Sequence, residues 1–256
     1  MAQVSAYYAD KALSAAFYDL VTSHDRSLDG DVELYSRLAP PGGAVLELGA
    51  GTGRVAAALA ERGFHVLGID AAASMLRQAE TRRRELAADV AGRLEFRRGD
   101  MAALALGRTF DAVICPFFGL AHLPAGAAWS NVFAGVAKHL APGGRAAFHL
   151  PSARVMTAPG PPDPSLPVAR LPVDEAGHEL RLFVRERRFR EAIGRFDQVM
   201  DYVVVDAGGR MARSSRERLT YYAADPTPFA VAAGLLPDGA PVDLGGVGEV
   251  YLFRKP

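Results

Sequence analysis

Val45-Leu46-Glu47-Leu48-Gly49-Ala50-Gly51-Thr52-Gly53-Arg54 runs from mostly apolar residues into three glycines at alternate positions. The apolar run predicts a buried strand over 44–48, and the pattern beyond predicts a helix over 53–62, so the glycines fall in the turn between them. Glycine is needed where a chain turns sharply and a ligand approaches the backbone closely. A helix start adds backbone N–H groups with no partner inside the helix. The Gly-x-Gly-x-Gly spacing departs from the Gly-x-Gly-x-x-Gly of dinucleotide turns. Taken alone, the stretch also suits a purely structural tight turn.

Two acidic residues narrow the reading. The next strand, 65–69, ends in Gly68-Ile69-Asp70. Asp70 therefore projects from a strand's carboxyl end, where open α/β sheets bind ligands and an acid can accept both hydroxyls of a ribose. Its alternative role is the N-cap of the following helix, a job for which Ser74 competes. After a third strand, 94–97, comes Gly99-Asp100-Met101. A carboxylate here suits an exocyclic adenine amine, with Met101 packing on the ring; otherwise it is a surface turn.

Outward from these motifs, strands and helices alternate. A helix over 74–87, a strand over 110–115, a helix over 129–140 and a fifth strand over 145–150 after Pro142-Gly143-Gly144 complete the run. Strands that are apolar throughout predict a parallel sheet covered by helices on both faces. Upstream, Tyr7, Leu13, Phe17, Leu20 and Val21, then Val32, Leu34, Tyr35 and Leu38, have helical spacings that predict two helices broken near residues 23–25. Downstream, prolines at 159, 161, 162, 164, 167 and 172 predict an irregular connection. Three β-prone runs follow, 179–190, 195–206 and 213–222, with a hairpin turn at 206–210. A short helix over 227–234 and a strand over 249–254 finish the chain. The expected organisation is 1–151 as a ligand-binding core, 152–225 as an antiparallel segment capping an acceptor site, and 226–256 completing the core sheet.

Composition sets the outer bounds. The chain has 256 residues, of which 29 are Lys or Arg and 29 Asp or Glu, so its formal charge is zero. Nothing in that balance draws it toward nucleic acid or an acidic membrane. Cys115 is the only cysteine, which excludes an intrachain disulfide and a multi-cysteine zinc site. The N-terminal residues 1–10 lack the basic start and apolar stretch of a secretory leader, and no apolar run is long enough to span a bilayer. The expected compartment is the cytoplasm; the oligomeric state, monomer or homodimer, is left open.

The order Glu-x-Gly-x-Gly-x-Gly, strand-end Asp, Gly-Asp-Met, Phe-Asp-Ala-Val and Leu-x-Pro-Gly-Gly, over residues 10–151, resembles the class I S-adenosylmethionine-dependent methyltransferases of small-molecule type. The resemblance implies a Rossmann-like, doubly wound, seven-stranded α/β sheet whose last strand runs antiparallel, with an antiparallel β insertion or cap. It implies that Glu47, Gly49, Ala50, Gly51 and Gly53 line the methionine side of S-adenosylmethionine. Asp70 would hold the ribose, Asp100 and Met101 the adenine, and Ala71 and Met75 the adenosine. Cys115, Pro116 and Phe117 would lie near the sulfonium. Arg54 would pair with the methionyl carboxylate, and Tyr18, in Phe17-Tyr18-Asp19-Leu20, would close over the cofactor; both residues also suit helix packing.

Methyl transfer from a sulfonium is an in-line displacement, and the protein's work is alignment, exclusion of water and acceptance of a proton where the acceptor needs it. Amines need only arrive neutral, whereas hydroxyls more often need a base. His122, just past the fourth strand, and His149, near the end of the fifth, are the candidates; each also reads as a structural histidine. Cys115-Pro116-Phe117-Phe118 replaces the Asn-Pro-Pro-Tyr or Asp-Pro-Pro-Tyr of base and glutamine methylation, so the expected partner is a small-molecule acceptor methylated on nitrogen or oxygen, with S-adenosylhomocysteine as the other product. No Asp/Asn cluster suggests a catalytic metal. Trp129 reads as core. Arg185, Arg187, Arg188 and Arg190, interleaved with Phe183 and Phe189, read as a solvated strand face or a phosphate strip. The rival functions are a non-catalytic S-adenosylmethionine-binding module and an NAD(P)-dependent oxidoreductase.

Overall fold

The computed structural model describes residues 4–9 and 11–256; Met1, Ala2, Gln3 and Asp10, within the stretch read for a leader, lie outside the described residues. The chain forms two compact units. One comprises residues up to 25 together with 153–222, the other 26–152 with 223–256.

The N-terminal segment departs from the two helices its spacing predicts. It begins with strand β1 (Val4–Ala6), then breaks into α1 (Leu13–Ala16), α2 (Tyr18–Ser23) and α3 (Asp31–Ser36), with a 3₁₀ turn at Arg26–Leu28. Tyr8 adopts a left-handed φ of 60° just after the strand, and its N–H donates to Ser14 Oγ at 3.0 Å. A helix cannot pass through that conformation. Leu13 is buried and Tyr7, Phe17, Leu20 and Val21 pack around it. Burial is served equally by several short helices, so apolar spacing alone cannot distinguish them from two long ones.

In the larger unit the alternation is close to the expected one. It runs β2 (Ala44–Leu48), α4 (Arg54–Glu61), β3 (His65–Asp70), α5 (Ala73–Glu85), α6 (Ala88–Ala91), β4 (Leu94–Arg98), β5 (Phe110–Cys115), α7 (Ala127–His139) and β6 (Leu140–Pro151). Leu46, Leu48, Val113 and Ile114 are fully buried, each contributing on the order of 1.5–3 kcal/mol by leaving water. Pro142-Gly143-Gly144 does not precede β6 but lies inside it, as an irregularity with Gly143 at φ 74° and a register shift opposite Phe110 and Ala112. Trp129 is fully buried, and its indole N–H donates to the Leu123 carbonyl at 2.9 Å.

Between Ser152 and the hairpin the proline-rich connection is more ordered than its composition predicts. It contains α8 (Ala153–Thr157) and β7 (Ala169–Pro172). β7 is an edge strand of the smaller unit's sheet, where a proline lacking its N–H is tolerated. That sheet continues with β8 (Glu179–Arg190), β9 (Arg195–Val205) and β10 (Met211–Tyr222), in the order β1-β10-β9-β8-β7. β1 joins it in parallel, Ser5 facing Glu217. Hence residues 4–25 gather with the antiparallel segment and not, as expected, with the core. The β9–β10 hairpin turns where predicted, with Asp206 Oδ1 accepting from the Gly208 and Arg210 N–H groups, each at 2.9 Å.

Arg185, Arg187 and Arg190 of the arginine strip are engaged within this unit. Arg185 and Arg216 both pair with Asp201, Arg190 approaches Asp197, and Arg187 lies over the Phe196 ring while donating to the Val155 carbonyl. The other face of the sheet is apolar and packs on the N-terminal helices through Leu180, Leu182, Val184, Met200 and Tyr202.

The chain then adds α9 (Thr227–Ala232), β11 (Leu236–Pro237), β12 (Val242–Leu244) and β13 (Gly248–Arg254) to the larger unit. The sheet order is β11-β13-β6-β5-β2-β3-β4. β13 is antiparallel to β6. The seventh position is shared, because β11 pairs with Phe253 and Arg254 while β12 pairs with Gly248 to Val250. No helix among the described residues is long and apolar enough to cross a membrane.

Candidate active site

The glycine turn leaves β2 with Gly49, Gly51 and Gly53 at φ 72°, 57° and 76°, left-handed values that an L side chain resists. Gly49 and Ala50 donate to the Ile69 carbonyl at 2.8 and 3.0 Å, tying the turn to β3. A Cβ on Gly53 would lie 2.5 Å from the Phe96 ring. Cβ atoms on Gly49 and Gly51 would lie 3.5 Å from the methyl ends of Met101 and Met75, respectively. The two methionines, one in α5 and one in the 3₁₀ turn after β4, thus both terminate on the turn.

Asp70 ends β3 with one carboxylate oxygen accepting from Gly51 N–H at 2.8 Å and the other from Ala72 N–H at 2.7 Å. The second bond is the Asx turn that launches α5. Ser74 is not the cap: it is a buried residue inside α5, whose N-cap position is Ala72. Asp70 therefore caps the chain and retains acceptor capacity on each oxygen. Burial raises its pKa, opposed by these backbone donors. Asp100 is exposed and accepts from Ala102 N–H at 2.8 Å, starting the 3₁₀ turn that carries Met101. Ala71 is exposed and its carbonyl accepts from Arg98 at 3.3 Å.

Glu47 is buried beneath the turn, and its Oε2 has no hydrogen-bond partner. Desolvation pushes its carboxyl up to about 8, against the pull of Arg54. Arg54 donates through both terminal nitrogens to Asp31, which is itself almost wholly buried. Tyr35, one turn beyond Asp31 on α3, is also buried with its hydroxyl unpartnered. Its pKa is raised well above the ordinary phenol range by burial, with Asp31 and Glu47 adding their charges. Asp31 and Tyr35 are absent from the sequence-based set. Their i,i+4 spacing on one helix face is the only sequence signal that marks them, because their partners lie in β2 and α4.

Cys115 is fully buried at the end of β5, and burial pushes its thiol up to about 12. A Cβ on Gly119 would come 2.9 Å from its sulfur and 3.5 Å from the Leu48 carbonyl. This packs the segment after β5 onto the end of β2. Pro116 is buried; Phe117 and Phe118 follow with φ of 42° and 65°, two successive strained residues of the kind that cluster at functional sites. The Phe118 ring lies 4.5 Å from that of His149. His149 is buried on β6 with neither ring nitrogen hydrogen-bonded. Desolvation lowers it to about 4, and His122, ending the 3₁₀ turn Gly119–His122, is lowered to about 4 by the same cause.

The larger unit thus brings together Glu47, the glycine turn, Arg54, Asp70, Met75, Met101, the segment 115–119 and His149. Tyr18 belongs to the smaller unit, where its ring meets that of Tyr8 edge-on at 5.7 Å. The donor set suits a cationic, ribose-bearing ligand. The orphaned Glu47 oxygen asks for a positive partner, Asp70 can take two hydroxyls, and side chains on the glycines would fill the turn.

Residues 45–144 match the family described as methyltransferase domain. The sequence has no match among curated proteins. Solved structures resemble nearly the whole chain. The CcbJ methyltransferase from Streptomyces caelestis superposes with a TM-score of 0.75 at 19% identity, covering 98% of each chain. CalS10, an amino pentose methyltransferase from Micromonospora echinaspora involved in calicheamicin biosynthesis, gives 0.68 at 25% identity, covering 95% of this chain and 97% of its own. The sugar N-methyltransferase KedS8 from a Streptoalloteichus species gives 0.70 at 25%, covering 93% and 92%. Glycine spacing, strand-end Asp70, the terminal antiparallel β13 and these likenesses define a methyl-transferring enzyme of Rossmann-like fold. The methyltransferase domain over residues 45–144 and these structural likenesses support a class I S-adenosylmethionine-dependent methyltransferase, which sets aside the oxidoreductase reading.

Proposed function

We propose that this enzyme methylates a nitrogen of a small, amino-sugar-like acceptor. The observation that carries the reading is the state of its two candidate bases. His122 and His149 are both lowered to about 4 by burial, far from the value near 7 that favours a general base. A hydroxyl acceptor would gain little from either, whereas an amine that arrives neutral needs alignment alone. The 25% identity to an amino pentose methyltransferase and a sugar N-methyltransferase over most of each chain supports the same acceptor class.

In this reading Glu47, Gly49, Ala50, Gly51, Gly53 and Arg54 hold the methionyl end of S-adenosylmethionine, with Asp31 orienting Arg54. Asp70 holds the ribose hydroxyls; Ala71, Met75, Asp100 and Met101 frame the adenosine. Cys115, Pro116 and Phe117 shape the wall beside the sulfonium through backbone and ring and not through the thiol. The cofactor supplies an electrophilic methyl on a good leaving group. The protein excludes water and orients the amine, and the proton lost from nitrogen passes to solvent. His122 and His149 act as neutral groups that position the acceptor.

The test is radiolabelled methyl transfer from S-adenosylmethionine to matched pairs of amino sugars and their hydroxyl counterparts. Amine members are expected to turn over and hydroxyl members to be inert; an O-methyl product overturns the reading. His122→Asn is expected to retain its rate within about tenfold. A loss of about a thousandfold, with a shifted pH profile, would mark His122 as a base.

A further inference from the structure

Gly248 opens β13, and nothing in its own backbone asks for glycine. Its φ lies outside the left-handed range, unlike those of Gly245 and Gly246 just before it, at 61° and 69°. What excludes a side chain is space. Gly248 is buried and pairs with Pro151, while Val250, two residues on, pairs with His149. The period of two therefore puts Gly248 and His149 on one face of the sheet, diagonally across from each other. A Cβ on Gly248 would stand 2.5 Å from the Leu150 carbonyl oxygen, 2.5 Å from Phe118 Cε1 and closer still to His149 Nε2. The first of these is backbone and cannot swing aside.

His149 has no polar anchor of its own. A buried histidine ordinarily commits at least one ring nitrogen to a hydrogen bond, and His149 commits neither. Its place is set by packing, against the Phe118 ring with centres 4.5 Å apart and against the bare Cα of Gly248. Phe118 returns the contact, donating its N–H to the His149 carbonyl at 3.1 Å. The Phe117 ring stacks on that of Phe118 at 5.2 Å. Both phenylalanines hold left-handed φ values, a conformation that persists only where the surroundings over-determine it. A strand from the far end of the chain completes those surroundings.

We propose that Gly248 is a positioning residue for methyl transfer. By leaving its Cβ position empty it seats His149 and Phe118, and through them the Phe117–Phe118 turn. That this turn walls the sulfonium and that His149 lies toward the acceptor rest on the functional reading above; the seating itself does not. Gly248 acts through these rings and not on the reacting atoms.

The test compares Gly248→Ala with Phe253→Leu, which lies on the same strand but packs on the opposite face, against Phe133 and Phe148. Both variants lose stability, one by crowding and one by a cavity, and only the first pushes on the two rings. Turnover is read with whichever members of the matched amine and hydroxyl pairs the parent enzyme methylates. Gly248→Ala is expected to lower kcat about tenfold or more, the scale on which a displacement of about 1 Å acts. Its S-adenosylmethionine affinity should stay within about threefold, because the glycine turn and Asp70 are untouched. Phe253→Leu is expected to keep kcat within about threefold despite a lower melting temperature. The imidazole C–H resonance of His149, assigned by its loss in His149→Asn, is expected to shift in Gly248→Ala as the ring leaves Phe118. If Gly248→Ala does not fold, Phe118→Leu alters the same contact from the other side and is expected to lower kcat and shift that resonance. Parental kcat in the folded variant, an unmoved His149 resonance, or an equal kcat loss in Phe253→Leu overturns the proposal. An O-methyl product removes the N-methylation reading and leaves the ratio of variant to parent to be read; amine turnover indifferent to Gly248→Ala does the reverse. Where no acceptor of the set turns over, the resonance alone decides.

Discussion

Gly53 in the larger unit and Gly209 in the smaller have the same φ, 76°, and almost nothing else in common. Around Gly53 the Phe96 ring and Ala79 leave no room for a Cβ, whereas nothing lies within 4 Å of the corresponding position on Gly209. One glycine permits close approach of helix and strand; the other only closes a hairpin. The difference extends to the whole units. The parallel sheet concentrates its special groups at strand ends a few residues from one motif. The antiparallel sheet assembles them across strands, from residues about two hundred positions apart.

The sharpest way to break that comparison is to add one methyl to each glycine. Gly53→Ala is expected to cost about 3 kcal/mol or more, as left-handed strain and a clash with Phe96 add together, with cofactor affinity lost alongside. It is read by urea unfolding and calorimetry with S-adenosylmethionine. A smaller cost is expected for Asp31→Ala, about 2–3 kcal/mol, because it strands the part-buried Arg54 guanidinium. An Asp31→Ala protein as stable as the parent would show that water replaces the pair.

The pH dependence of the larger unit sets two opposed effects against each other. Glu47, raised to about 8 in the folded protein from about 4.5, binds more protons folded than unfolded, so its contribution is lost as pH rises through that window. His122 and His149, lowered to about 4 from 6.5, stay neutral when folded, so their contribution is lost as pH falls from 6.5 toward 4. Stability of the cofactor-free protein is therefore expected to peak on the mildly acidic side of neutrality. Glu47→Gln should flatten the alkaline limb and His149→Phe should soften the acid one; thermal melts across pH check both. The smallest effect is reserved for Gly209→Ala, about 1 kcal/mol from backbone strain alone. If it matched Gly53→Ala, crowding would not be what separates the two turns.

The same contrast explains what was legible in the sequence. Glu47, Gly49, Gly51, Gly53 and Asp70 lie within one strand–turn–helix–strand passage, so local pattern places them. Strand limits were readable wherever burial on both faces made every residue apolar, as in 44–48 and 110–115. The double duty of Asp70 was not, because backbone donors leave no mark in side-chain sequence. Residues 5–38 mislead by periodicity, since their apolar side chains are buried whether the backbone is helical or extended. Asp31 finds Arg54 only through the packing of α3 on α4. Glu217 reads as one more charge on an alternating strand until the register shows it on the apolar face.

β1 pairs in parallel with β10, and Ser5 reaches a carbonyl 211 positions away in the sequence. During synthesis this ordering has a temporal price. Within its sheet β1 must wait for the last strand, β10, to emerge, which at about 5–20 residues per second is a delay of roughly 10–40 seconds. The larger unit faces a similar wait for β13, whereas its five parallel strands are complete once residue 151 has emerged. The order of emergence thus favours the parallel sheet assembling before the sheet that holds β1, and pulse-labelled hydrogen exchange on stalled chains would show β2–β6 protected while β1 is still open.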